Sequence, residues 1–164
     1  MTQRNRTFAD LGYSHLDTAE IVVHLNKLLS SYSVYHQKLK NYSLNMLGSD
    51  FFELRKVFVR MYQSAINETD EIAERIRLFG EKPASSFTEY LNLSGIKEDH
   101  SDRTSFEMVK HILNDIKYLI SSMEETINAA RNINDNGTEY LLQRCTYRME
   151  KDHFLLTSWV KQKI

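Results

Sequence analysis

Apolar residues recur every three or four positions along four long stretches that contain neither Gly nor Pro. Between residues 13 and 47, Ile21, Leu25, Leu28, Tyr32, Tyr35, Leu39, Tyr42 and Met46 step this way throughout. Between 49 and 79 the series is Phe51, Leu54, Phe58, Met61, Ala65, Ile72, Ile76 and Phe79, with a polar break at Thr69. Phe106, Val109, Ile112, Ile116, Leu119, Met123 and Ile127 form a third series. Leu141, Cys145, Met149, Leu156 and Trp159 form a fourth, less regular one. Steps averaging near 3.5 gather these residues on one face of each helix, the pattern of a left-handed bundle.

The helix ends are signed as well. Asp50-x-x-Glu53, Ser86-x-x-Glu89 and Thr104-x-x-Glu107 fit the capping box, in which two side chains satisfy free N–H groups at a helix start. Gly48 and Gly80 suit the left-handed residue that closes a helix. The pattern predicts an all-α, up-and-down type four-helix bundle. Its 80–103 connection is long and carries a short helix of its own near 86–91. A connection of that length lets the chain cross over between the second and third long helices instead of turning back.

Composition narrows the setting. Lys and Arg number 21 against 22 Asp and Glu, a formal charge of −1, so no global basic field draws the protein onto nucleic acid or an anionic membrane. No apolar run is long enough to cross a bilayer, and the first residues lack the apolar stretch of a signal peptide. Cys145 is the only cysteine, which excludes a disulfide framework and a cysteine zinc site and makes a reducing compartment the expectation.

A helical bundle raises the question of a carboxylate–histidine metal site. Glu150 and His153 match the Glu-x-x-His spacing once, and Glu20 and His24 stand four apart; neither has a second half, and both read as surface pairs. Asp70 and Glu74 are more informative. They sit on adjacent turns of the second helix, one position off its apolar stripe, where two carboxylates repel unless a cation or hydrogen bond compensates. A solvated flank with Arg75 and Arg77 nearby is the simpler reading of the spacing alone.

The residues Tyr35-His-Gln-Lys-Leu-Lys-Asn-Tyr-Ser-Leu-Asn-Met-Leu-Gly48, Phe51-Phe-Glu-Leu54 and Asp70-Glu-Ile-Ala-Glu-Arg-Ile76 resemble the Dps family, the mini-ferritins of starved and oxidatively stressed bacteria. The likeness continues through Gly80-Glu-Lys-Pro-Ala84, Glu89-Tyr-Leu91 and Met108-Val109, and more loosely to Trp159. It implies a ferritin-like four-helix bundle over 17–164 behind a tail at 1–16, and a hollow homo-oligomeric shell of twelve subunits in the bacterial cytoplasm. In the family, ferrous iron is oxidised at a centre shared between two subunits and stored as mineral, and many members coat DNA.

Carried over position by position, the resemblance puts two metal-binding His at 43 and 55, an acid at 59, and Asp and Glu at 70 and 74. This sequence has Ser43, Arg55, Val59, Asp70 and Glu74. The Trp neighbour of the first His is Leu44, while Asn45 is kept. Ser is a poor iron ligand, Val is none, and Arg brings a fixed positive charge with no acceptor. His15, His24 and His36 do not obviously replace what is missing. The expectation is iron bound weakly or not at all at this centre, and an Arg55 that pairs with Asp70 or Glu74 of the neighbouring subunit. Tyr42, Phe51 and Phe52 flank the site and are expected on the dimer face.

Iron entry in the family uses acidic three-fold pores near the start of the last helix, which here offers Asp135 and Glu139, followed by Arg144. For DNA, the tail supplies Arg4 and Arg6 against Asp10, and the C-terminus Lys161 and Lys163, so weak binding at most is expected. Two other readings stand beside the favoured one: an active ferroxidase using Asp70 and Glu74 with non-standard ligands, and a purely structural DNA-compacting shell.

Overall fold

The computed structural model describes residues 11–99 and 102–163. Five helices follow in order: α1 His15–Asn45, α2 Phe51–Leu78, α3 Phe87–Leu93, α4 Ser105–Asn132 and α5 Asn136–Lys161. The four long ones and the short one in the long connection are those the pattern predicts. Each residue of the four apolar series is buried in the common core, except Phe51, Phe106 and Trp159, which are partly covered.

The helix starts separate good caps from a failed one. Ser86 and Thr104 form complete capping boxes with Glu89 and Glu107. Asp50 makes no side-chain cap bond; its carboxylate accepts from Lys163 Nζ at 2.7 Å, tying the start of α2 to the end of α5. α1 begins at His15, two residues inside the expected tail, because Ser14 caps it by accepting from the Asp17 N–H at 3.1 Å. Residues 1–10, with Arg4, Arg6 and Asp10, lie outside the described residues. Gly48 and Gly80 hold φ of 111° and 81° behind α1 and α2, the left-handed region that a side chain disfavours.

α1 is the central helix and packs on α2, α4 and α3; α4 packs on α5. Contacts such as Lys38–Asp115 and Tyr32–Met123 run α1 antiparallel to α4, and Arg60–Asp152 and Glu68–Arg148 run α2 antiparallel to α5. The bonds that pin the crossing segment between α2 and α4 to α1 include three from amide N–H groups. The Ala84 N–H donates to Asn26 Oδ1 at 2.8 Å, the Gly95 N–H to Ser31 Oγ at 3.1 Å, and Asn41 Nδ2 to the Asp99 carbonyl at 2.8 Å. Gly95 has no room for more: a Cβ there would lie 1.9 Å from the Tyr118 hydroxyl oxygen.

Candidate functional site

The five positions that the resemblance assigns to a shared metal centre lie on α1 and α2. Asp70 and Glu74 stand one turn apart on α2, both exposed, and neither makes an ion pair or hydrogen bond among the described residues. The neighbouring arginines do not neutralise them. Arg75 turns inward, where Nε donates to Thr138 Oγ1 at 2.8 Å and Nη2 to Asp135, and Arg77 Nη1 donates to the Glu81 carbonyl at 3.0 Å. Arg55 is exposed at the other end of α2 and likewise has no partner among the described residues. Fifteen helical residues separate it from Asp70, about 22 Å. One chain therefore cannot bring Arg55 to its own Asp70.

Ser43 and Val59 complete the set without a ligand. Ser43 is buried and donates its hydroxyl to the Lys40 carbonyl at 2.8 Å; Val59 is half-buried beside the Arg55 turn. Asn45 Nδ2 bonds to Asn41. Among the described residues no group of three or more His, Cys, Asp or Glu side chains is placed to hold a metal ion. The donor set at the five positions does not fit iron: a fixed cation stands where an imidazole would bind, and a hydrocarbon where a carboxylate would.

The other candidates resolve into local pairs. His153 lies 3.5 Å from Thr157, and Glu150 is exposed. His24 approaches Glu20 at 3.9 Å, and His15 Nδ1 meets Glu81 at 3.1 Å. Asp135, expected at a pore, is fully buried within the subunit. It caps α5 by accepting from the Thr138 N–H at 3.1 Å, and takes Arg75 and the Tyr13 hydroxyl besides. Glu139 is held by Arg131 Nε at 2.8 Å and Gln143 Nε2 at 2.9 Å. Tyr42, expected on a dimer face, is in the core. Its hydroxyl donates to Asp99 Oδ2 at 2.5 Å, the same oxygen that takes Arg103 Nε at 2.6 Å and lies 3.2 Å from His111 Nδ1. Burial and the bond to Asp99 push the Tyr42 hydroxyl far above the usual phenol range. Phe52, by contrast, is 76% exposed.

The interior holds ionisable groups that the sequence pattern did not single out. Glu68 on α2 is buried and pairs with Arg148 of α5, while Asp152 of α5, also buried, pairs with Arg60 of α2 at 2.8 Å. Burial raises the Glu68 carboxyl against the opposing pull of Arg148. Cys145 lies beside them, and burial drives its thiol well above the ordinary range, so it is an unreactive core residue. The signal was present as gaps. The α2 series skips from Ala65 to Ile72 and the α5 series from Met149 to Leu156, and the inward positions left empty are 68 and 152.

Comparison with known proteins bears on the family and the fold. Residues 22–162 match the ferritin-like domain family. The chain is 32% identical over 143 residues to DNA protection during starvation protein 2 of Bacillus anthracis, covering 87% of this chain and 98% of that one. It is 34% identical over 128 residues to an uncharacterised protein of Haemophilus influenzae, covering 78% and 80%. Among solved structures, the Dps protein of Vibrio cholerae O1, described as a member of a broad superfamily of ferritin-like diiron-carboxylate proteins, superposes with a TM-score of 0.89 at 27% identity, over 95% of this chain and 99% of that one. The Dps of Staphylococcus aureus gives 0.84 at 27% identity, over 87% and 95%. The chain belongs to the Dps branch of the ferritin-like family.

Proposed function

We propose that this chain is the subunit of a closed, dodecameric Dps-type shell that protects a bacterial cell under starvation or oxidative stress, and that its intersubunit centre no longer oxidises iron. The observation that carries the reading is the ligand set. Asp70 and Glu74 are exposed and available, but the other three positions of the set, 43, 55 and 59, hold Ser, Arg and Val. Two carboxylates alone hold a divalent cation loosely, since tight redox sites need more protein ligands fixed by a surrounding shell of partners. A guanidinium nearby repels the cation further. Protection then comes from the shell itself, with any iron inside it mineralised without help from this centre.

DNA contact, where it occurs, is weak and salt-sensitive. The net charge is −1 per subunit, and only avidity over many copies adds to the few terminal cations. No helix among the described residues is long and apolar enough to cross a membrane.

Aerobic Fe(II) loading, with and without hydrogen peroxide, tests the reading. The expected rate of the wild type is close to that of iron in buffer, and unchanged in Asp70→Ala. The combined change Ser43→His, Arg55→His, Val59→Asp should raise it by about tenfold or more. Rapid oxidation by the wild type that disappears in Asp70→Ala would overturn the proposal.

A further inference from the structure

We infer that the hollow between α1, α4 and the crossing segment binds inorganic phosphate, with Lys38, Lys97, Asn114 and Tyr118 as hydrogen-bond donors and Asp115 as the acceptor of the ion's own proton. The site lies apart from positions 43, 55, 59, 70 and 74, and the inference does not depend on what they do.

Helical period builds the site. Lys38 falls inside the apolar series of α1, between Tyr35 and Leu39, so its stem is drawn inward and its side chain is only 6% exposed. A buried ammonium is costly unless its charge and its three N–H groups are met. Asp115 of α4 meets the charge, taking one N–H on Oδ2 at 2.7 Å. No other acceptor among the described residues takes the remaining two, and Asp115 Oδ1 receives no donor there either. Asn114, Asp115 and Tyr118 share one face of α4, since they stand three and four positions apart. The Tyr118 hydroxyl is buried against Gly95, where a Cβ would lie 1.9 Å from its oxygen, and it has no hydrogen-bond partner among the described residues.

These groups wall one hollow of about 320 Å³, with Lys97 of the crossing segment and Asn114 exposed at its rim and His111, whose Nδ1 is turned to Asp99, on the same wall as Asp115. Lys38 and Lys97 against Asp115 leave one positive charge in excess, so the hollow favours an anion. Its unused donors come from α1, α4 and the crossing segment, three directions that a tetrahedral oxyanion meets with separate oxygens and a flat carboxylate does not. Asp115 Oδ1 selects further. It repels a bare anion but accepts from a P–O–H group. At neutral pH inorganic phosphate keeps such a proton, sulfate has none, and a phosphomonoester, with its second pKa near 6, has mostly lost it.

The test is isothermal titration of the iron-free, assembled protein with sodium phosphate at about pH 7, in a buffer without other oxyanions, and with sulfate, acetate and ribose 5-phosphate in parallel. Wild type should bind phosphate saturably, one ion per subunit, and each of the other three should bind about tenfold more weakly or worse. Tyr118→Phe removes an oxygen with no hydrogen-bond partner among the described residues, so it should leave the unfolding midpoint in place while weakening phosphate by about fivefold. Lys97→Gln, at the exposed rim, should weaken it by about tenfold. Asp115→Asn should narrow the gap between phosphate and sulfate. That variant strands the Lys38 ammonium, so circular dichroism checks that it is folded, and Tyr118→Phe and Lys97→Gln carry the test without it. The absence of saturable binding would overturn the inference. So would sulfate or acetate bound as tightly as phosphate by the wild type, or ribose 5-phosphate bound more tightly. Phosphate bound equally well by wild type, Tyr118→Phe and Lys97→Gln would be an adventitious ion only, and would overturn it too.

Discussion

Two faces of α2 carry similar numbers of charges and use them in opposite ways. On the side toward α5, Arg60, Glu68, Glu71 and Arg75 all find partners on or at the start of that helix: Asp152, Arg148, Arg144, and Thr138 with Asp135. The register is antiparallel and the seam is complete within one subunit. On the outer side, Arg55, Asp70 and Glu74 have no partner among the described residues. The difference is one of accounting in space. Charges taken out of water are costly unless paired, so a folded subunit pairs the ones it buries and can leave the exposed ones to water. The inner seam ties α2 to α5, and the outer face leaves its charges in water.

Depth along the inner seam sets the largest expected effect. The Glu68–Arg148 pair has side-chain exposures of 10% and 25%, while Glu71–Arg144 has 40% and 52%. Arg148→Ala strands a buried carboxylate and should lower unfolding stability by about 3–5 kcal/mol. Arg144→Ala leaves Glu71 in water and should cost under about 1 kcal/mol. Urea unfolding followed by circular dichroism measures both. Similar losses in the two variants would mean that burial does not grade the seam, and would break the contrast between the two faces.

The fold was largely legible because it rests on periodicity, which a sequence displays directly. Every residue assigned to the apolar series is buried or partly covered, and two of the three proposed capping boxes form. The third failed because a cap is a competition: Asp50 found Lys163, a residue more than a hundred positions away, whose proximity only the fold creates. The same reason hid the pairs Glu68–Arg148 and Asp152–Arg60. Position 68 falls in the gap that the series leaves between Ala65 and Ile72, and the helix geometry turns it inward. Asp135 and Tyr42 misled in the other direction. Polar groups assigned to a pore and a dimer face are absorbed by Arg75 and by the Asp99 cluster inside the subunit. Residue identity at 43, 55 and 59 could be read without any structure, because a missing lone pair is a property of the side chain and not of its surroundings.

The smallest predicted effect belongs to the outer face. His36 is half-buried in the α1–α2–α3 groove, edge-on to the Tyr62 ring at 5.6 Å, with Lys40 one turn along and Asp70 and Glu98 lining the same groove. Burial first, and the Lys40 charge second, lower its pKa below the usual histidine value. A base that is harder to protonate when folded takes up more protons unfolded. Its contribution is therefore fully present above the unfolded value of about 6.5 and is lost as pH falls from there toward the folded value. Glu68 and Asp115, whose carboxyls burial raises, act in the opposite sense at lower pH, so the total slope mixes both. The difference between wild type and His36→Gln isolates the histidine. Wild type should lose more urea stability than His36→Gln between pH 7.5 and 5.5. Equal slopes in the two proteins would show that the groove does not desolvate His36.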